Sequence, residues 1–386
     1  MKVKQVYELA NTITSEILGK ENVVNEDLSN IVDIGEEVVN SNNLDNYVKS
    51  LVDRIGKVIF VNRPYSGSVP SLMMSGWEFG SIMEKIQADI PEATENESWE
   101  LVNGTSYDPN IFYQPKVSAE FFNKRMTFET NMSFTEKQVK ESFANAEELN
   151  AFMSMLYNSV DRSMTIKIDG LVMRTINNAI ASTVFSDYGT EDVKTKSGIK
   201  AVNLLYLYNH KFGTNLTPVQ AITTPEFIRF ASYTIGLYRD RLSRMSTLFN
   251  IGGKERFTPY DLQHLVLLSD FEKAAGVYLY DDNGQFNTEN VKLPNADIVP
   301  YWQGSGKDYN FESVSTINVK TANNNPVSVS GVIGVLFDKD SMGITNYEKR
   351  VTTNYNPKAE FYSNFYKFEM GAFNSQNEQV VVFFLA

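Results

Sequence analysis

The sequence predicts an α+β protein, and three observations carry that prediction. Apolar residues hold a helical period from Leu149 through Phe152, Met153, Leu156, Val160 and Met164 to Ile176 and Ile180, far beyond the three turns of an average globular helix. Residues 116–135 (KVSAEFFNKRMTFETNMSFT) alternate with the period of two that marks a strand. The C-terminal third is strands and loops, finishing in the aromatic-dense AEFYSNFYKFEMGAF (359–373) and the apolar VVVFFLA (380–386). An apolar end of that kind must be covered, because termini stay disordered unless tied into a sheet or docked. At 386 residues the chain has room for more than one packing unit.

Taken in order, Val6, Leu9, Ile13 and Ile17 step by three and four and predict an amphipathic helix ending near Gly19. A polar stretch follows over 20–43. Leu44, Tyr47, Val48, Leu51, Val52 and Ile55 mark a second helix stopped at Gly56, and Lys57–Val61 turns strand-like. Residues 1–61 therefore read as an extended arm carrying two short helices. Gly67, Pro70 and Gly76 break up the next stretch. Strand-like 80–90 and 116–135 then flank a polar tip, 91–110, so that 62–143 reads as a projecting β-hairpin. An isolated hairpin is marginal in water, which makes another subunit its natural support.

Asn145, with Glu148 three residues on, is a capping-box variant. It opens the long helix, read over 145–186, with Asp169-Gly170 as a candidate kink. At the usual rise per residue this helix is roughly 60 Å long. Thr224-Pro225-Glu226 starts another helix, with Pro in the first position, read as running to Asn250 and stopping before Gly252-Gly253. His264–Ser269 reads as a short buried strand and Asp270 as the cap of a helical turn. From 276 onward the reading is strands and loops: GVYLYDDNG, the loop around YWQGSGKDY, GVIGVLFD, YKFEMGAF and EQVVVFFLA.

Composition narrows the function. Hydrophobic residues make up 42% and charged ones 21%, as in ordinary globular proteins. The 20 Tyr and 25 Phe can fill cores or protein–protein contacts. The absence of Cys excludes disulfides, thiolate catalysis and cysteine-ligated metals. Net charge is −12, and the first 57 residues hold six Lys/Arg against ten Asp/Glu; a nucleic-acid binder normally shows a basic patch or arm instead. No window reaches about 18 consecutive apolar residues, and MKVKQVYELANTI lacks a secretory signal's apolar core and cleavage site. These features predict a soluble protein made in the cytoplasm, with no membrane partner.

No bond-making constellation emerges. His210 and His264 are the groups that titrate near neutral pH by default, and neither sits in a Ser-Gly elbow or an HExxH pattern, so both read as structural. DDNG (281–284) lacks the spacing and closing Glu of a calcium loop and reads as a turn. Gly252-Gly253-Lys254 lacks the leading Gly and following Ser/Thr of a phosphate loop and reads as a helix stop. Arg239, Arg241 and Arg244 form a basic cluster with two readings: a solvated face with Asp240 as counter-charge, or a salt-bridging contact with an acidic neighbouring subunit. Together with Trp77 and Trp99 they are the candidate subunit-interface residues. No catalytic residue, cofactor or metal ligand is assigned. A rival reading uses Trp77, Trp99 or Trp302 in a carbohydrate-binding module or enzyme, but the long helix contradicts a compact all-β module.

SLVDRIGKVIF (50–60), HLVLLSDFEKAAGV (264–277) and VLFDKDSMGITNYEKR (335–350), in this element order, resemble the major capsid proteins of tailed bacteriophages. That is the Hong Kong 97-type fold, and the stretches are similar to its small short-tailed phage branch. The order of elements matches along nearly the whole chain, the motifs along about a fifth of it. The resemblance implies an N-terminal arm (1–61), an extended loop (62–143), a peripheral domain (144–199 and 345–386) with the long helix as spine, and an axial domain (200–344). It implies a structural subunit, not an enzyme, that assembles with itself as pentamers and hexamers into an icosahedral shell enclosing DNA in the virion. A portal protein is an implied partner. With the extended loop starting near residue 62 there is no room for a fused scaffolding segment, so a separate scaffolding protein is expected. Another virion protein, a portal or tail component, is the alternative within the same world.

Overall fold

The computed structural model describes residues 3–19, 24–25, 29–40, 45–52, 69–73, 83–88, 102–105, 108, 110–114, 116–122, 125–278, 296–303, 310–321 and 324–386. It divides into two compact units. The first comprises Met1–Gly80, Lys124–Val172 and Ile344–Gly371; the second comprises Ser81–Asn123, Met173–Gly343 and Ala372–Ala386.

In the first unit, helix α1 (Val3–Leu18) buries Ala10, Ile13 and Thr14 and ends where Gly19 takes a left-handed φ of 67°. Helix α2 (Ile31–Asn40) arises inside the stretch read as merely polar. Its inward residues Ile31, Ile34 and Val38 keep helical spacing, but Asp33, Glu36 and Glu37 between them mask the stripe. Residues 45–52 are helical (α3) and bury Tyr47, Val48, Leu51 and Val52, the expected stripe. Gly35 is required by packing, since a Cβ there would collide with the ring of Phe143. The strand-like 57–61 lies outside the described residues.

The sheet of this unit has the order β10-β11-β3, with β10 spanning Met342–Asn356. Strand β11 (Phe361–Asn374) runs antiparallel to β3 (Arg125–Thr135) in unbroken register from Phe361↔Thr135 to Gly371↔Arg125. From Tyr362 to Met370 the even-numbered residues of β11, among them Tyr366 and Phe368, point inward. The sheet meets the N-terminal half of helix α5 (Ala146–Tyr188), with Phe134 edge-on to Phe152 at 5.4 Å and Thr130 bonded to Ser163 at 3.2 Å. A short helix, α4 (Glu136–Ser142), precedes α5 and was readable from the sequence: Thr135 and Gln138 form a reciprocal capping box. Asn145 Oδ1 accepts from the Glu148 backbone at 2.8 Å, the cap anticipated for α5. At 43 residues α5 continues through Asp169-Gly170, so no break occurs at the candidate kink.

The second unit is built on a five-stranded sheet of order β4-β12-β9-β5-β6. Its strands are β4 (Ala201–Asn203), β5 (Gln263–Leu268), β6 (Ala296–Val299), β9 (Val332–Asp338) and β12 (Val380–Phe384). The apolar end is thus an interior strand: β12 pairs parallel with β4 and antiparallel with β9, and all five of its residues are buried. Runs apolar on both faces are what a doubly covered strand requires. On one face Val381, Phe383, Leu265 and Leu267 join a core with helices α6 (Leu204–Phe212), α8 (Pro225–Leu242) and α9 (Ser269–Tyr278). On the other, Phe384 meets Tyr188 of α5 at 5.9 Å. Gly331, at φ 75°, lets the backbone approach Leu385, whose carbonyl a Cβ would strike.

Three expectations change here. Helix α8 ends at Leu242, not Asn250, because Ser243 Oγ bonds the Asp240 carbonyl and the chain folds back through a Ser246–Arg256 bridge. Gly252-Gly253 therefore turns a loop. Helix α9 extends through Gly276, where a strand was expected; its amphipathic spacing outweighs the β-branched GVY, and 279–295, including DDNG, lie outside the described residues. Residues 116–135 are two strands, not one. Strand β2 (Val117–Phe122) pairs with β1 (Met83–Ala88) as a hairpin, whereas β3 joins β11. The remaining elements are the helical turns Pro70–Leu72, α7 (Pro218–Ile222) and α10 (Phe311–Val314), and the two-stranded β7 (Ile317–Lys320) with β8 (Pro326–Val329).

Candidate subunit interface

Strand alternation gives the β1–β2 hairpin two unlike faces. The side chains of Glu120 and Phe122 on β2 face the body of the second unit. Phe122 packs on Phe373 at 5.2 Å, and Glu120 accepts hydrogen bonds from Ser375 Oγ at 2.6 Å and Asn377 Nδ2 at 2.8 Å. Lys85, opposite Glu120 in the register, reaches Glu378 at 2.8 Å and the Asp340 carbonyl at 3.0 Å. Odd-numbered positions carry the opposite chemistry: Val117 is 58% exposed and Phe121 63%, with Ala119 between them exposed as well. Ile111, Phe112 and Tyr113, just before the strand, are also exposed, the last two by more than four-fifths. Large apolar side chains displayed together mark a surface for another protein.

A second surface surrounds the arginines. Arg239 and Arg241 occupy the last turn of α8, where cations suit the negative end of the helix dipole. The Arg239 guanidinium lies over the Tyr260 ring at 5.6 Å, and partial burial pulls its pKa down from the ordinary arginine value. Tyr260 in turn donates to Asp240 Oδ1 at 2.9 Å. Arg241 stands over Tyr238 at 5.1 Å. Arg244 is exposed and lines a shallow depression with Asp240, Ser243, Phe257, Tyr260 and Asp261. Beside it, Met245, Leu248, Phe257 and Tyr260 are each about half exposed. Sequence reasoning found the arginines but missed these four apolar neighbours, because it continued the helix to Asn250; only the fold-back after Ser243 gathers them.

Trp77 and Trp99 lie outside the described residues. Trp302 is in the core, 1% exposed, donating its Nε1–H to the Val332 carbonyl at 2.8 Å while Asn177 caps its own carbonyl; it is not available to a ligand. His210 is exposed at the end of α6. His264, on β5, lies 5.9 Å from Phe337, and burial lowers its pKa. Among the described residues no group of three His, Asp or Glu is placed to hold a metal, and no helix is long and apolar enough to cross a membrane.

The comparisons with known proteins agree with a chain built to meet others. A capsid structure of Staphylococcus phage Andhra matches with a TM-score of 0.52 at 6% identity, over 82% of this chain and 83% of that one. The head fiber and inner core protein structure of native bacteriophage P68 scores 0.49 at 9% identity, over 83% and 85% of the two chains. The capsid of Cyanophage P-SCSP1u scores 0.45 at 12%, over 82% and 86%. At such identity the Andhra likeness concerns fold alone, and the two lower scores carry no argument. No curated protein matches in sequence. The profile described as "Phi29-like phage major capsid protein" matches residues 10–384, nearly the whole chain. The α+β fold is of the Hong Kong 97 type and the chain is a structural component of the virion. It belongs to the Phi29-like phage major capsid protein family.

Proposed function

We propose that copies of this chain assemble as pentamers and hexamers into an icosahedral shell that encloses packaged DNA, and that the subunit has no enzymatic role. The bare apolar face of β2 carries this reading, because a family of shell subunits supplies what that face lacks: a second copy to cover it. Obligate interfaces bury more than about 2,000 Å² and are richer in apolar and aromatic residues than the remaining surface. In this reading the arm is 1–61, the extended loop 62–143, the peripheral domain 144–199 with 345–386, and the axial domain 200–344. Trp77, Trp99, Arg239, Arg241 and Arg244 are subunit-contact residues. Residues 86–115 hold six Asp/Glu and no Lys or Arg, so the arginine surface suits that segment of a neighbouring copy. The −12 charge keeps the subunit from gripping the enclosed DNA. A separate scaffolding protein and a portal complete the partners, with synthesis in the host bacterial cytoplasm.

Negative-stain electron microscopy of the full chain, expressed with and without a scaffold, tests this reading. Shells, tubes or pentamer–hexamer patches are expected. A uniformly monomeric protein even with scaffold present would overturn it.

A further inference from the structure

At the junction of β9 and β12 the hydrogen bonds do not balance unless one extra proton is present. Thr258 Oγ lies 2.7 Å from Asp338 Oδ2 and 2.7 Å from Gln379 Oε1. A hydroxyl has one proton to donate, yet both neighbours are acceptors if Asp338 is ionised. The Gln379 amide cannot be turned to supply the missing donor, because its Nε2 already donates to the Arg256 carbonyl at 3.0 Å; reversal would set two carbonyl oxygens against each other. The remaining source is the carboxyl itself. With a proton on Oδ2, Asp338 donates to Thr258, Thr258 donates to Gln379, and Asp338 Oδ1 accepts from the Asp340 backbone at 2.8 Å. The Thr258 hydroxyl, the Asp338 carboxyl and the Gln379 amide are then each satisfied.

We propose that Asp338 is a neutral carboxylic acid in the folded subunit, over a pH range where an ordinary carboxyl is ionised, and that its proton latches segment 256–260 onto the β9–β12 junction. This segment presents Phe257 and Tyr260 beside the arginines, so the latch sets the position of that contact surface. The same junction anchors the hairpin root, since Glu378 pairs with both Lys85 and, at 3.7 Å, Arg256.

The surroundings favour the neutral form. Asp338 is 6% exposed, and burial is the main influence and raises its pKa; the hydrogen bonds with the Asp340 backbone and Thr258 act the other way, and the Glu378 and Asp340 carboxylates add to the rise. The charged and titratable groups facing the site are Asp340 and Lys339 from the turn after β9, Glu378 before β12, Arg256 from the loop, His264 from β5 and Lys85 from β1. Lys85 and Arg256 are engaged with Glu378, and the Lys339 and Asp340 backbones are tied down by bonds to Leu262 and Asp338. The sign follows from proton counting. The unfolded chain releases this proton near the ordinary value of 3.8 and the folded chain holds it to higher pH. The latch's contribution to stability is complete below 3.8 and is lost as pH rises through the folded value.

Thermal melting of the unassembled full chain from about pH 4 to about pH 8, beside isotope-edited infrared spectra of its carboxyl groups, tests the latch. Above the range in which ordinary carboxyls ionise, the wild type is expected to keep a protonated-carboxyl band that bleaches only with a further rise in pH, together with a falling melting temperature. In Asp338→Asn, whose amide N–H replaces the acid O–H, that band is expected to vanish and the associated fall in melting temperature to disappear. Glu378→Gln removes a neighbouring negative charge and should move the bleaching midpoint to lower pH. A band that persists in Asp338→Asn, or a midpoint unmoved by Glu378→Gln, overturns the proposal. Both readouts are taken on the free subunit, so they stand apart from whether shells form.

Discussion

Strands β2 and β3 are neighbours in sequence and alternate in the same way, yet they differ in what they show to the outside. The outward residues of β3 are Arg125, Thr127, Glu129, Asn131 and Ser133, all polar, while its inward residues lie along β11. The outward residues of β2 are Val117, Ala119 and Phe121, while Glu120 and Phe122 hold it to the second unit. Both inner faces are satisfied within the chain. The outer face of β3 suits water, and that of β2 suits another protein. A period of two therefore identifies a strand, whereas the residue types on its outward positions tell a finished surface from an interface.

The largest expected effect comes from charging the β2 face. Phe121→Asp should leave a folded subunit with an unchanged circular dichroism spectrum and abolish closed shells in electron micrographs, whereas Asn131→Asp on β3 should leave assembly intact. Shells from Phe121→Asp in normal yield would remove the distinction between the two strands. Next in size is the inner side of the β3 sheet: Phe368, 1% exposed and 5.2 Å from Phe128, should cost about 3–5 kcal/mol when changed to Ala, measured by denaturant unfolding. Phe121→Ala should change subunit stability by less than about 0.5 kcal/mol, since Phe121 is already exposed before assembly. Smaller is the hairpin anchor. Glu120→Ala strands Ser375 and Asn377 and should cost about 1–3 kcal/mol, with faster hydrogen exchange at 118–122. Smallest is Glu129→Ala, which breaks a 3.0 Å pair with Lys367 at the surface and should leave the melting temperature unmoved.

Much of the fold was legible because it rests on local spacing. The α5 stripe, its Asn145 cap, the α8 start at Thr224-Pro225 and the apolar runs of β5, β9 and β12 all follow from residues within a few positions of one another. Helix α2 was missed because acidic residues interrupt its stripe, and α4 because its Thr135–Gln138 capping box was passed over. The candidate site was half legible. The arginines stand out as a cluster, but the exposed Met245, Leu248, Phe257 and Tyr260 are brought beside the arginines only by the loop closed at Ser246 and Arg256.

The sequence by itself determined that this is an α+β chain with a long helix, a covered apolar end and no cysteine chemistry, and its motifs carried the family resemblance. Only the tertiary structure decided that β3 belongs with β11 and not with β1, and that the last strand lies inside a sheet between β4 and β9. It also decided that Thr258, Asp338 and Gln379 converge on a single missing proton. The physical reason is the reach of the interactions. Helical and strand periods are set by steric rules among close neighbours, whereas strand partners and buried polar clusters join residues far apart in the chain and are settled by what packs and what is left to hydrogen-bond once water is excluded.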